Sequence, residues 1–159
     1  PSGSNFVSVG GKDRGFCAVR AGNAGTTSWG QGIATSTTLY GIYTTKKIAG
    51  HHCYLHNNGT ITCPYLAVTG VPTGDGFVDI AEGFDERFCA VHASGSLSCW
   101  RQSHTIDPSV IFPEGNDFVS ITGSVRNGFC AIRSNGRMSC AKQSVTFPSR
   151  SLHNVDIHP

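Results

Sequence analysis

Short bursts of alternating apolar and polar residues recur along the chain. Phe6-Val7-Ser8-Val9, Phe77-Val78-Asp79-Ile80 and Phe118-Val119-Ser120-Ile121 are one phrase. Each has the two-residue period of a half-buried strand. A second phrase follows: Phe16-Cys17-Ala18-Val19-Arg20, Phe88-Cys89-Ala90-Val91-His92 and Phe129-Cys130-Ala131-Ile132-Arg133, with Cys53-Tyr54-Leu55-His56 as a divergent copy. Leu39-Tyr40-Gly41-Ile42 reads as the first phrase of the second unit, and Val155-Asp156-Ile157 as the start of a fifth. A link, Val71-Pro72, Phe112-Pro113 or Phe147-Pro148, precedes the first phrase. The chain is poor in Leu and rich in Thr, Val and Gly, which favours strands and turns over helices.

The spacing sets the organisation. Cys17, Cys53, Cys89 and Cys130 lead the successive units, 36, 36 and 41 residues apart. Periods of this size belong to solenoids, propellers and arrays. Residues 1–159 therefore read as one repeat domain, with units at about 6–38, 39–76, 77–117 and 118–154 and a fifth starting at 155–159. Each unit is expected to be a strand, a loop and a β-hairpin.

The hairpins fix the cysteine chemistry. The loops Asn57-Asn58-Gly59, Ala93-Ser94-Gly95 and Ser134-Asn135-Gly136 are three residues long and end in Gly. That pattern is a type I turn closed by a left-handed residue, which Gly adopts without steric cost. Centring each hairpin on its loop sets Cys53 opposite Cys63, Cys89 opposite Cys99 and Cys130 opposite Cys140. Opposed Cα atoms lie about 4.5–5.5 Å apart, within the reach of a disulfide. Zinc would want Cys-x-x-Cys knuckles or helical His pairs, and neither spacing occurs. Three disulfides are expected, and no metal. Cys17 is the odd cysteine: Ser28 and Trp29 hold its partner's place.

Composition then excludes several classes. Charged residues make up 14 % of the chain and the net charge is +2, with no basic cluster, so no nucleic-acid partner is expected. No apolar run reaches ~18 residues, so no membrane insertion is expected. The chain begins at Pro1 and its one methionine is Met138, which reads as a processed product or a piece of something longer. Disulfides persist in oxidising compartments, so a secreted or cell-surface location is expected.

The pattern Val-x-Val/Ile, a Gly-bearing loop, Cys-Ala-Val/Ile, a turn Gly, then Cys-Trp or Ser-Trp-Gly resembles the repeat of the regulator of chromosome condensation superfamily. Val7 to Gly30 and Val78 to Trp100 are its clearest copies. The Val-Pro links are similar to the short repeats of propeller-type β-lactamase inhibitory protein. The paired cysteines resemble those of crinkly-type receptor kinase ectodomains. The resemblance implies an all-β fold of β-propeller blades, part of a larger, usually seven-bladed ring.

Candidate chemistry is sparse. His51, His52 and His56 cluster, yet read as polar residues on a strand and its preceding loop. Asp79 and Asp156 fall at equivalent places, where Ser8 and Ser120 replace them, which favours a solvated or capping role over acid–base work. No phosphate-binding loop or nucleophile elbow occurs. No catalytic, cofactor-binding or metal-binding residue is therefore assigned. Asn58-Gly59-Thr60 is a sequon, making Asn58 a candidate glycan acceptor.

The loop between first strand and hairpin varies most among units. It carries Lys12, Asp13 and Arg14; Lys46, Lys47, His51 and His52; Phe84, Asp85, Glu86 and Arg87; Val125, Arg126 and Asn127. Variation on a constant frame suits recognition. The expectation is an extracellular, non-enzymatic protein-interaction module, whose partners include further blades or a second subunit. The alternatives are a carbohydrate-binding propeller and a structural subunit of a surface assembly.

Overall fold

A computed structural model describes residues 5–12, 15–21, 26–30, 45–50, 52–64, 68–102, 112–124 and 128–141. These form four antiparallel sheets. The first holds β1 (Phe6–Lys12), β2 (Gly15–Arg20) and β3 (Thr26–Gly30). The second holds β4 (Thr45–Ala49), β5 (Cys53–His56) and β6 (Ile61–Thr62). The third holds β7 (Val68–Thr69), β8 (Phe77–Glu82), β9 (Arg87–His92) and β10 (Leu97–Gln102), in the order β7-β10-β9-β8. The fourth holds β11 (Phe118–Ser124), β12 (Gly128–Arg133) and β13 (Met138–Ala141). Among the described residues no helix is long and apolar enough to cross a membrane.

The register follows the hairpin centring. Cys89 lies opposite Cys99, and Cys130 opposite Cys140. Disulfides join Cys53–Cys63, Cys89–Cys99 and Cys130–Cys140, with Cα atoms 4.2, 4.1 and 4.0 Å apart. Cys17 is buried opposite Ser28, outside these bridges.

Each first strand carries the same register shift, between Phe6/Ser8, Thr45/Lys47, Phe77/Asp79 and Phe118/Ser120. One extra residue there is a β-bulge, which bends the strand and raises its twist. The shift aligns Thr45-Lys46-Lys47-Ile48 with Phe77-Val78-Asp79-Ile80, so β4 is the first strand of the second sheet. Leu39-Tyr40-Gly41-Ile42, read as that strand, lies outside the described residues, as do Phe147-Pro148 and Val155-Asp156-Ile157. Lys46 and Lys47 stand on a strand instead of a loop. The third sheet also takes its outermost strand, β7, from residues counted with the second unit.

The two sequence phrases meet in space. Arg20 lies 4.7 Å over the Phe6 ring and Arg133 4.6 Å over Phe118, as cation–π pairs. His92 stands edge-on to Phe77 at 5.4 Å. Where Thr45 replaces the phenylalanine, His56 turns to Thr62 Oγ1 at 2.8 Å.

Neighbouring sheets pack by a repeated rule. Each has a cysteine face and an aromatic face. Between the second and third sheets, Ala49, Cys53, Leu55 and Ile61 meet Phe77, Ile80, Phe88 and Trp100. Between the third and fourth, Ala81, Cys89 and Val91 meet Phe118, Ile121 and Phe129. Cys17 and Val19 meet Ile48 and Tyr54 between the first and second. Backbone bonds stitch the same joints. Phe77 N–H donates to the Gly59 carbonyl and Phe118 N–H to the Gly95 carbonyl, each at 3.0 Å. Gly59 has φ +81°, and a Cβ there would stand 2.5 Å from Gly76 N. The turn glycine thus supplies both the left-handed conformation and the close approach of the next sheet.

Candidate functional site

The first strands are in register near their ends. Gly11, Glu82 and Gly123 share one register position, opposite Phe16, Phe88 and Phe129. Gly50 takes that place in the second sheet, one residue after Ala49. Three glycines and one glutamate therefore occupy equivalent places, at or next to the strand ends from which the loops that vary most begin.

The exception is fitted to its neighbour. The Glu82 carboxylate lies over Gly50, where a Cβ would run into Glu82 Oε2. It stands 3.5 Å from His52 Nδ1, and the His52 ring meets Phe88 edge-on at 6.2 Å. On its other side, the Glu82 carbonyl occupies the space that a Cβ on Gly123 would need. Small residues on both neighbours let a long acidic side chain sit buried between sheets.

The loop after Glu82 is tight. Gly83 N–H donates to the Arg87 carbonyl at 2.8 Å, around a 3₁₀ turn at Phe84–Glu86. Glu86 has φ +55°, a left-handed conformation uncommon outside Gly, Asn and Asp. Of the expected contact residues, Phe84 and Glu86 are half-buried, while His52 and Arg87 are buried. Lys12 ends β1 and Asp85 lies in the 3₁₀ turn. Asp13, Arg14, His51, Val125, Arg126 and Asn127 lie outside the described residues.

A second polar cluster spans three sheets at the bulges. Asp79 is buried. Its Oδ1 accepts from Lys47 Nζ at 2.5 Å and from Ile80 N–H at 2.9 Å. Its Oδ2 accepts from Ser120 Oγ at 2.7 Å and from Ile121 N–H at 2.8 Å. Lys47 Nζ also reaches the Ile121 carbonyl at 3.4 Å. In the first sheet Ser8 does the simpler version, accepting from Ile48 N–H at 3.2 Å. Asp79 and Ser8 thus cap the backbone that the bulges release, across the joint to the next sheet. The Asp/Ser alternation leaves a solvated or a capping role open, and the burial of Asp79 decides for capping; Lys47 gives no such signal, because the sequence phrase for its strand lies upstream.

The opposite ends of the strands carry the hairpin tips. Asn58 is exposed, and its Oδ1 accepts from Thr60 N–H at 3.1 Å and Thr60 Oγ1 at 2.8 Å. Burial lowers the pKa of His56 below its ordinary value, so its ring is neutral at physiological pH. Among the described residues no three His, Cys, Asp or Glu side chains converge as metal ligands.

Sequence comparison gives no relatives: no protein-family model and no curated protein matches the chain. Solved structures do match. One is the CRINKLY WD40 ectodomain of the Arabidopsis thaliana receptor kinase ACR4, with a TM-score of 0.60 at 18 % identity, covering 81 % of this chain and 48 % of that one. Another is the entire ectodomain of the Physcomitrella patens receptor kinase CR4, with a TM-score of 0.57 at 16 % identity, covering 87 % of this chain and 41 % of that one. The four sheets are β-propeller blades. The likeness is one of fold, and the chain spans less than half of either ectodomain chain.

Proposed function

We propose that the chain is an extracellular, non-enzymatic protein-interaction module that binds through the loops leaving the first strands of its blades. The observation that carries the reading is the alignment of the strand ends from which those loops leave. Gly11, Gly50, Glu82 and Gly123 bring four chemically different connections to one side of a constant frame. A rigid scaffold with variable loops is how many folds build recognition. Three disulfides favour an oxidising compartment, where such recognition takes place outside the cell. The two plant structures of this fold are receptor ectodomains, which agrees with that location. In this reading the units run 6–38, 39–76, 77–117 and 118–154, with a fifth begun at 155, and the end blades pack against additional blades.

The reading is tested by a paired surface scan. The secreted protein is labelled and titrated onto an array of extracellular domains, then the titration is repeated with Phe84→Ala, Glu86→Ala, Asn57→Ala and Ser134→Ala. Loss confined to the first pair supports the loop face. Loss confined to the hairpin-tip pair contradicts it.

A further inference from the structure

The joint between the second and third blades departs from the repeat at two linked positions. The residue before the leading cysteine is Phe16, Phe88 or Phe129 in three blades and His52 in the second. The first-strand residue opposite that phenylalanine is Gly11 or Gly123 in two blades and Glu82 in the third. The two exceptions meet. Glu82 Oε1 stands 3.5 Å from His52 Nδ1, and the residues are only 7 % and 8 % exposed. Glycine and phenylalanine serve the same places in the other blades, so the fold itself does not call for a buried carboxylate and imidazole. A buried ion pair also adds little net stability over apolar residues of similar volume.

The pair stands at the root of the loop face. Glu82 ends β8, and the chain passes from it directly into the tight loop 83–87. Gly83 N–H donates to the Arg87 carbonyl and closes that loop. Arg87 is buried, where the first and fourth blades carry Gly15 and Gly128. Within the loop Glu86 holds its left-handed backbone, a strained conformation that persists only while its surroundings enforce it. The Glu82 side chain reaches across the joint over Gly50, so the first anchor of the loop is held by the second blade.

The charged groups on the surrounding elements differ in their placement. Lys47 and Asp79 pair with each other at the bulges. Asp85 and Glu86 lie in the 3₁₀ turn, and Arg87 and Arg101 are register partners on β9 and β10. Lys12 ends β1, and His56 ends β5 at the hairpin tip. Glu82 is the carboxylate within reach of His52 Nδ1.

We propose that His52 and Glu82 form a proton-operated latch that sets the conformation of loop 83–87 and thereby regulates recognition at the loop face, a role that rests on the binding reading above. Histidine is the side chain whose charge changes between about pH 5 and 8. With a neutral ring, the two side chains share one long contact. With a charged ring, Nδ1–H donates to the carboxylate in a charge-assisted bond. Acid therefore fastens Glu82 to the second blade and holds the loop, and neutral conditions loosen it. The sign is opposite to that of His56, whose burial disfavours the charged ring.

The test is an NMR titration of the 159-residue protein between about pH 5.5 and 7.5, with no partner added. The His52 imidazole and the amides of residues 83–87 are expected to move with one midpoint. Loop amide exchange, corrected for its intrinsic pH dependence, is expected to slow about fivefold toward acid, the gain of a charged over a neutral hydrogen bond. His52→Gln and Glu82→Gln should each abolish the slowing, while His56→Gln keeps it. Circular dichroism and disulfide mapping check that the variants fold, and the midpoints of the parent protein decide the matter where one does not. Slowing retained in either latch variant overturns the proposal, and so do loop amides that follow another midpoint or none. Because no partner is present, failure of the latch leaves the array titration of the loop face standing, and failure of that titration leaves the latch standing.

Discussion

Lys47 Nζ stands 2.5 Å from Asp79 Oδ1, joining the first strand of the second blade to that of the third. Asp79 in turn holds Ser120 Oγ and the Ile121 N–H of the fourth blade. One buried carboxylate therefore ties three consecutive blades at the point where their bulges release backbone groups.

Asp79→Ala leaves two N–H groups and an ammonium without their acceptor. Removing one partner of a buried, hydrogen-bonded pair costs about 3–5 kcal/mol. Urea unfolding is expected to show a loss of that order. Lys47 is more exposed than Asp79, so Lys47→Met is expected to cost about 1 kcal/mol. Equal losses from the two changes would contradict the capping role of Asp79.

Gly50→Ala meets two obstacles. Gly50 has φ +58°, and a Cβ there collides with Glu82 Oε2. The left-handed backbone costs a residue with a Cβ about 1–2 kcal/mol. The collision adds to it, so a total of about 3 kcal/mol is expected. In a Glu82→Ala background the penalty for Gly50→Ala should fall to the backbone part. A double-mutant cycle measures the difference.

His56 makes stability depend on pH. Its folded pKa lies below the ordinary 6.5, because burial disfavours the charged ring. The unfolded chain therefore binds the proton first as pH falls. The stability from neutral His56 is full above about pH 6.5 and is lost as pH drops through the folded pKa. Thermal melts from about pH 5 to 8 should show a decline on the acid side that His56→Gln flattens.

Asn58 sits exposed on a hairpin tip within a sequon. When the protein is secreted from eukaryotic cells, a glycan is expected there, at the end of the strands away from the variable loops. Intact mass before and after amidase treatment reads it. Asn58→Gln and Thr60→Ala should each remove the mass difference, while an unglycosylated parent would contradict the expectation.

Much of the fold was legible because its signals are local. The Cys-x9-Cys spacing with a Gly-terminated three-residue turn determines a hairpin register by itself, and Cys89–Cys99 follows. The Phe6, Phe77 and Phe118 phrases were readable because each aromatic packs on the Arg or His that ends the adjacent strand of its own sheet. The first strand of the second blade escaped because Thr45 replaces that aromatic and Lys47 replaces the capping Ser or Asp. Its strand is held by the long-range Lys47–Asp79 contact, which leaves no local pattern. The candidate face was legible as loops but not as contacts. His52 and Arg87 look like surface residues in sequence, yet both are buried. His52 lies beside Glu82 of the next blade, a pairing between blades that no single repeat reveals.

The central claim is a run of blades built for an oxidising exterior, in which three of the four described blades are each pinned by one disulfide across their own hairpin. Non-reducing peptide mapping of the secreted protein tests it most directly. The expected map holds Cys53–Cys63, Cys89–Cys99 and Cys130–Cys140, with Cys17 carrying the alkylating label after unfolding. A bridge joining cysteines of different blades, or seven labelled thiols, would contradict it.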